Sequence, residues 1–395
     1  MRFRNRYEDS SILSRGTKIS VGPAHGLPCI LALGMVSTLV AGTTARGADD
    51  SAVGVLAQEV AGKGWIVFAA HPKEIDGGEI IKASQRRGQF DLYLSRPDGS
   101  QLQNITNTEQ YSEFGGRFSP DGTKLLYRRL PPGASINHDL WGEVGQAFVA
   151  DADGSNPVSQ GEAGEFPWAS FCPDMKQIAC LYRKERKIRI FDFATKRLLK
   201  QLPAEGVYQQ LFWSPDGRRL VGTANVVGRR WNVVSVDIQT ESQTVLTRAL
   251  NCTPDWFQGD PQRVIYSNRN PALFPGKYNN YGLTMLMWAS VDGKTRKLIY
   301  GDAWKHCYFG CTSPDDEYVL FSDDISDTIV AGEMHVLRMA DTPIIPEGIK
   351  QIRLLHPGCK DGPVLDLKLK NGIPLRGFEP HWTYADVLDG NGISP

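Results

Sequence analysis

Hydrophobic and polar residues alternate along most of this chain in short runs, and the runs are separated by tight-turn residues. The clearest case is Arg117–Tyr127, where Phe118 ends one alternating run, Leu125 and Tyr127 belong to the next, and Ser119-Pro120-Asp121-Gly122 lies between them. Proline presets φ for a turn, aspartate bonds to its own backbone, and glycine accepts a left-handed conformation. The stretch therefore predicts a strand, a turn and a second strand.

The same hairpin recurs. Phe171-Cys172-Pro173-Asp174-Met175 precedes Ile178–Tyr182, Trp213-Ser214-Pro215-Asp216-Gly217 precedes Leu220-Val221, and Thr312-Ser313-Pro314-Asp315-Asp316 precedes Tyr318–Phe321. A degraded copy spans Pro254–Asp260 before Val264–Tyr266. The anchors Phe118, Phe171, Trp213, Trp256 and Thr312 are separated by 53, 42, 43 and 56 residues. Repeats of this length, each with room for four strands, are the signature of propeller blades. A second alternating run follows each hairpin, at Gln146–Ala150, Ile188–Phe193, Trp231–Val236, Met285–Trp288 and Met334–Leu337. At the N-terminal end Gly64–Phe68 reads as a second strand with no first, and Phe90–Leu94 follows it. At the C-terminal end Phe378–Tyr384 reads as a first strand with no second. Joining the two removes a pair of open sheet edges. The expected fold is all-β: a six-bladed β-propeller of four-stranded antiparallel blades, closed by the C-terminal strand completing the first blade.

The Ser-Pro-Asp-Gly hairpins, with Asp-Gly second turns such as Asp153-Gly154-Ser155, resemble the WD40-like repeats of TolB-like six-bladed propellers. The resemblance covers roughly residues 60–395. It implies the propeller fold and, as a function, the binding of protein at the cell envelope.

Residues 1–47 break the pattern. Arg2, Arg4, Arg6, Arg15 and Lys18 precede an apolar run from Cys29 to Ala41, and Ala45-Arg46-Gly47-Ala48 supplies small residues for cleavage. This reads as a signal peptide, and the apolar run is too short to span a bilayer. The expected organisation is a signal peptide over 1–47, a short linker over 48–62 and a propeller over 63–395, in a protein exported to the periplasm or secreted. Without residues 1–47 the chain keeps 38 basic against 42 acidic residues, so nothing draws it to nucleic acid. Cys307 and Cys311 lie too far apart along one strand to bridge, whereas Cys172 and Cys180 flank a hairpin and either bridge or stay buried as thiols.

No nucleophile elbow, phosphate-cradling loop or Cys-x-x-Cys pair is present in the sequence. Asp151–Glu162 superficially resembles a calcium loop, but Asn156 replaces the required glycine and the segment falls on a strand–strand turn. Loop length says more. In a blade meander the first and third connections share one face, and they are minimal here. The long connections His71–Gln89, Leu130–Gly145, Ser267–Tyr281 and Pro357–Gly377 share the other. His71, His138, His306, His356 and His381 are assigned to that face, as are Trp141, Tyr281 and Trp304. The candidate ligand-binding residues are accordingly Trp141, Tyr281, Trp304, His306 and His381. His306 and His381, each placed at the start of an inner strand, would meet Asp255 at the channel mouth and could hold a divalent metal. No other cofactor is expected. The expected function is non-catalytic binding of a partner, protein first and glycan second, by a monomer using the long-loop face. The alternative is a metal- or histidine-dependent polysaccharide-degrading enzyme of the propeller-lyase type.

Overall fold

A computed structural model of the protein describes residues 46–79, 90–132, 145–227, 231–248, 250–269, 284–301, 305–324, 331–343 and 362–388. Their architecture is set by the repeated hairpin. In the first copy Ser119 Oγ donates to Asp121 Oδ1 at 2.5 Å and accepts from the Lys124 amide at 2.9 Å. Ser214 does the same with Asp216 and Arg219, and Ser313 with Asp315 and Tyr318. The fourth turn residue is left-handed in each copy: Gly122 (φ 71), Met175 (φ 56), Gly217 (φ 71) and Asp316 (φ 61). At Gly122 a side chain would also run into Ala385, so only glycine serves there.

These turns join strands into antiparallel sheets. Strands β4 (Ser112–Phe118), β5 (Lys124–Leu130), β6 (Gln146–Asp151) and β7 (Val158–Ser159) form one sheet in that order. A second contains β8 (Ser170–Phe171), β9 (Gln177–Tyr182), β10 (Lys187–Asp192) and β11 (Leu198–Pro203). A third contains β12 (Val207–Trp213), β13 (Arg219–Ala224), β14 (Asn232–Asp237) and β15 (Gln243–Val245). The fourth contains β16 (Asn251–Trp256), β17 (Arg263–Arg269), β18 (Thr284–Ser290) and β19 (Arg296–Tyr300).

The remaining sheet has eight strands and carries both ends of the fold. It contains β1 (Trp65–Ala70), β2 (Asp91–Ser95), β3 (Gln103–Asn104), β20 (His306–Thr312), β21 (Tyr318–Asp324), β22 (Gly332–Arg338), β23 (Val364–Asp366) and β24 (Arg376–Thr383). Its path is β20-β21-β22-β24-β1-β2-β3, with β23 on β22. As expected, β24 pairs with β1, matching Trp65 to Thr383, Ile66 to Trp382 and Val67 to His381. Strand β23 lies inside the stretch 357–377 that the sequence suggested was only a connection.

One feature of the inner strands had no counterpart in the sequence pattern. The ladders of β4, β16, β20 and β24 with their neighbours each shift register once and that of β12 twice, as at β-bulges. A left-handed residue sits at one shift in each of these ladders, namely Gly115, Gln210, Thr253, Phe309 and Glu379, and Trp168 takes that position just before β8. Each stands three residues before the anchor of its hairpin, counting Trp382 as the anchor of β24. At Gly115 a Cβ would collide with the Arg128 guanidinium.

Sheet faces pack on one another through large side chains. Trp65, Phe68, Phe90, Phe114, Phe257, Phe321, Phe378 and Trp382 are essentially without exposure. Strands β1 and β21 are buried along their whole length, as expected of strands covered on both faces. The five described cysteines are free and buried, so Cys172 and Cys180 do not bridge. The segment expected as a linker instead carries helix α1 (Arg46–Val60). Leu56 and Val60, four apart and so on one face, are fully buried against Ile66, Phe68 and Trp382, and Glu59 pairs with Arg338 at 2.7 Å. A short helix α2 (Pro72–Gly77) opens the first long connection, capped by His71 Nδ1, which accepts from the Lys73 amide.

Truncation after Asn371 removes β24 and opens the edges of β1 and β22. The truncated protein is expected to lose its cooperative thermal transition, and melting within a degree or two of the full chain would refute the role given to β24. Trp213→Ala, at a side chain only 8% exposed, is expected to cost about 3–5 kcal/mol in chemical denaturation.

Candidate functional site

The hairpins end on a cavity of about 560 Å³. Its rim is made by the turns, through Ser119, Pro120, Asp121, Pro173, Pro215 and Pro314, and its walls by Phe118, Phe171, Trp213, Trp256 and Trp382. It therefore opens on the short-turn face.

The floor is a single layer of the repeat. Arg117, Ser170, Phe212, Asp255, Cys311 and His381 each stand one residue before an anchor, and all but Cys311 line the cavity. The Arg117 guanidinium lies 3.9 Å over the Phe212 ring and makes a short ion pair with Asp255. Burial pushes the Asp255 carboxyl up from its ordinary value while Arg117 opposes that shift. His381 Nδ1 accepts from the Phe118 amide at 3.2 Å, which leaves the ring proton on Nε2. Burial, reinforced by the charge of Arg117, holds His381 well below the usual imidazole range, so it is neutral at physiological pH. A second ion pair, Arg128–Glu379 at 2.9 Å, joins β5 to β24, with Arg128 stacked 3.6 Å over Trp168. The cavity thus has apolar walls and a floor holding an N–H donor beside a fixed ion pair.

The residues expected to form a site are dispersed. Trp141, Tyr281 and Trp304, with His138 and His356, lie outside the described residues. His71 is a helix cap. His306 and His381 do not meet at one height of the channel. His381 stands one residue before its anchor and His306 six before Thr312, a difference of roughly 16 Å along extended strands. His306 is fully buried at the start of β20, stacked on Tyr308 and 3.0 Å from Thr284 Oγ1. Asp255 and His381 do share the floor, but Asp255 is engaged by Arg117. The expected metal set of His306, His381 and Asp255 is therefore not brought together, because His306 lies five residues farther from its hairpin turn than His381 does. Arg117, Ser170 and Phe212 were missed, although the column before each anchor holds them.

Among the described residues, the group that does bring three candidate donors within 4.8 Å is Asp323, Glu333 and His335. It lies at the end of β21 and β22 away from the hairpin turn. His335 Nδ1 is 2.9 Å from Asp366 Oδ1 and Nε2 is 3.0 Å from Asp323 Oδ1, the latter an ion pair without aligned hydrogen-bond geometry. Burial alone would lower the His335 pKa, but the two carboxylates override it and raise it to about 9.

TolB from Acinetobacter baumannii superimposes with a TM-score of 0.54 at 13% identity, over 81% of this chain and 67% of that one. A protein assigned as TolB from Agrobacterium tumefaciens gives 0.49 at 17% identity, over 81% and 93%. An oligogalacturonate lyase in complex with manganese gives 0.39 at 15% identity, over 60% and 68%. No protein-family model matches the sequence, and no curated protein is similar to it. The fold is a TolB-like β-propeller, and likeness at these identities carries the fold alone.

His335 makes the stability of the sheet depend on pH. Its folded pKa, about 9, lies above the ordinary 6.5, so its contribution is complete below about pH 6.5 and is lost as pH rises through 9. The loss is on the order of 3 kcal/mol. Denaturation midpoints in metal-free buffer should fall over that window more steeply in the native protein than in His335→Gln, which keeps only the fall above about pH 8.5 that the buried cysteine thiols impose on both.

Proposed function

We propose that the chain is an exported, non-catalytic, six-bladed propeller that binds a protein partner at the mouth of its central channel. The eight-stranded sheet is read as two blades, β20 to β23 and β24 with β1 to β3, joined by the short β22–β24 pairing Gly332–Gly377 and Glu333–Arg376. With the other four sheets this makes six. Contacts of β24 with β4 and β20, of β16 with β12 and β20, and of β12 with β8 support inner strands arranged around a channel. Export rests on the basic and apolar pattern of residues 1–47.

The observation that carries the binding reading is the cavity itself. Phe118, Phe171, Phe212, Trp213 and Trp256 offer the rigid aromatic surface that anchors a protein segment. The neutral His381, with its proton on Nε2, and the guanidinium of Arg117 suit an oxygen acceptor carried by that segment, such as a carboxylate or a main-chain carbonyl. The partner is thus read as a loop tip or chain end that inserts into the mouth. The sequence favoured the long-loop face. Binding is assigned instead to the short-turn face, where the turn residues rim the cavity.

The non-catalytic reading follows from how the floor groups are engaged. Asp255 and Arg117 neutralise one another, and His381 accepts a backbone hydrogen bond through the nitrogen that a base would need.

A photo-crosslinking residue placed at Pro314 or Ala385 is expected to form a discrete protein adduct in the cell envelope, and one at Val158 on an outer edge is not. Phe212→Ala should lower the mouth adducts severalfold while leaving the melting temperature within a few degrees. Adducts restricted to positions in the long connections would return binding to the other face. Release of unsaturated uronides from polygalacturonate, lost in His381→Gln, would replace the binding reading by the lyase.

A further inference from the structure

The polar cluster at the far end of β21 and β22 has no part in the channel-mouth reading, and its geometry points to a separate chemistry. We propose that Asp323, Glu333 and His335 form a binding site for a divalent transition-metal ion, which takes the position now held by the Lys305 ammonium.

Each of the three residues supplies one donor, and the donors already lie within 4.8 Å of one another. A metal with bonds of about 2.0–2.2 Å holds adjacent donors roughly 3 Å apart, so the closure required is small. His335 is oriented for this task. Asp366 Oδ1 receives Nδ1 at 2.9 Å, which leaves Nε2 facing Asp323. A carboxylate behind the histidine is the arrangement that fixes the ring of a metal ligand and makes it more basic. Glu333 is held similarly: Arg376 Nη2 engages Oε1 at 3.0 Å, while Oε2 turns to Lys305 at 3.2 Å.

Two atoms in the cluster are left unsatisfied. Asp323 is fully buried, and its Oδ2 has no hydrogen-bond partner. His335, 4% exposed, has no aligned partner for Nε2. Burying polar atoms in that state is costly, and a metal would satisfy both.

Lys305 Nζ lies 2.9 Å from Asp323 Oδ1 and so already sits as a cation between two of the ligands. Its side chain is 27% exposed, which gives it a path into solvent. The exchange balances. A divalent ion replaces one ammonium charge and one proton, the proton leaving His335 Nε2 for solvent, and the net charge of the cluster is unchanged. The other groups facing His335 and its partners are Asp366 from β23, Arg376 from β24, Asp324 paired with Arg376 at 2.6 Å, and the Phe321 ring at 5.2 Å. One imidazole and two carboxylates suit zinc or manganese, with water in the remaining positions.

The test is equilibrium dialysis of the metal-stripped full-length protein against Zn²⁺, with Co²⁺ absorption as a second readout. The native protein should bind one equivalent that Asp323→Asn and His335→Gln each lose. Lys305→Ala should bind at least tenfold more tightly, a gain that failure to fold cannot produce. Binding by neither native protein nor Lys305→Ala overturns the site, and binding by Lys305→Ala alone overturns it for the native chain. Unchanged affinity in a folded His335→Gln variant overturns the ligand assignment.

Discussion

The geometry of the channel depends on one backbone constraint, a left-handed residue three positions before the anchor of each hairpin. Five of these residues are Trp168, Gln210, Thr253, Phe309 and Glu379, none of which prefers that conformation. Each is disfavoured by about 1–2 kcal/mol, so the bulge persists only because neighbouring strands hold it. A bulge re-aims the side chains that follow it. The left-handed residue, repeated ahead of each anchor, accompanies Arg117, Ser170, Phe212, Asp255 and His381 at one level, and the cavity floor is the result.

That explains what was legible in the sequence and what was not. Serine, proline, aspartate and glycine force the hairpin through their own chemistry, so Ser119–Gly122 and its copies could be read directly. The pairing of β24 with β1 followed from counting strands. The bulge was invisible, because tryptophan, glutamine, threonine and phenylalanine at that position share no local preference that would signal it. The different heights of His306 and His381, and the floor layer itself, were by contrast legible by counting back from each anchor. Helix α1 was also missed, although Val53, Leu56, Ala57 and Val60 are spaced as one helical face. It was hidden by its place beside a segment read as an export signal.

The sheets are also tied to one another by ions. Arg117–Asp255 and Arg128–Glu379 connect residues 138 and 251 positions apart in sequence. Pairs this buried contribute little over well-packed apolar groups, but losing one member strands the other charge in a dry site. Each therefore works less as an adhesive than as a restriction on which strands can lie beside one another. The same restriction acts on the floor, where the charge of Arg117 helps keep His381 neutral.

The position of β24 has a consequence for how the protein is made. Trp65–Ala70 leaves the ribosome long before its partner Arg376–Thr383, because every other strand of the fold lies between them in the sequence. While the intervening strands are being made β1 therefore has an unpaired edge, and intermediates of this kind are prone to aggregate. Ribosome stalling or premature termination anywhere before residue 376 would leave the same edge open. Quality control acting on this chain would thus meet one recurrent defect, whatever the point of interruption.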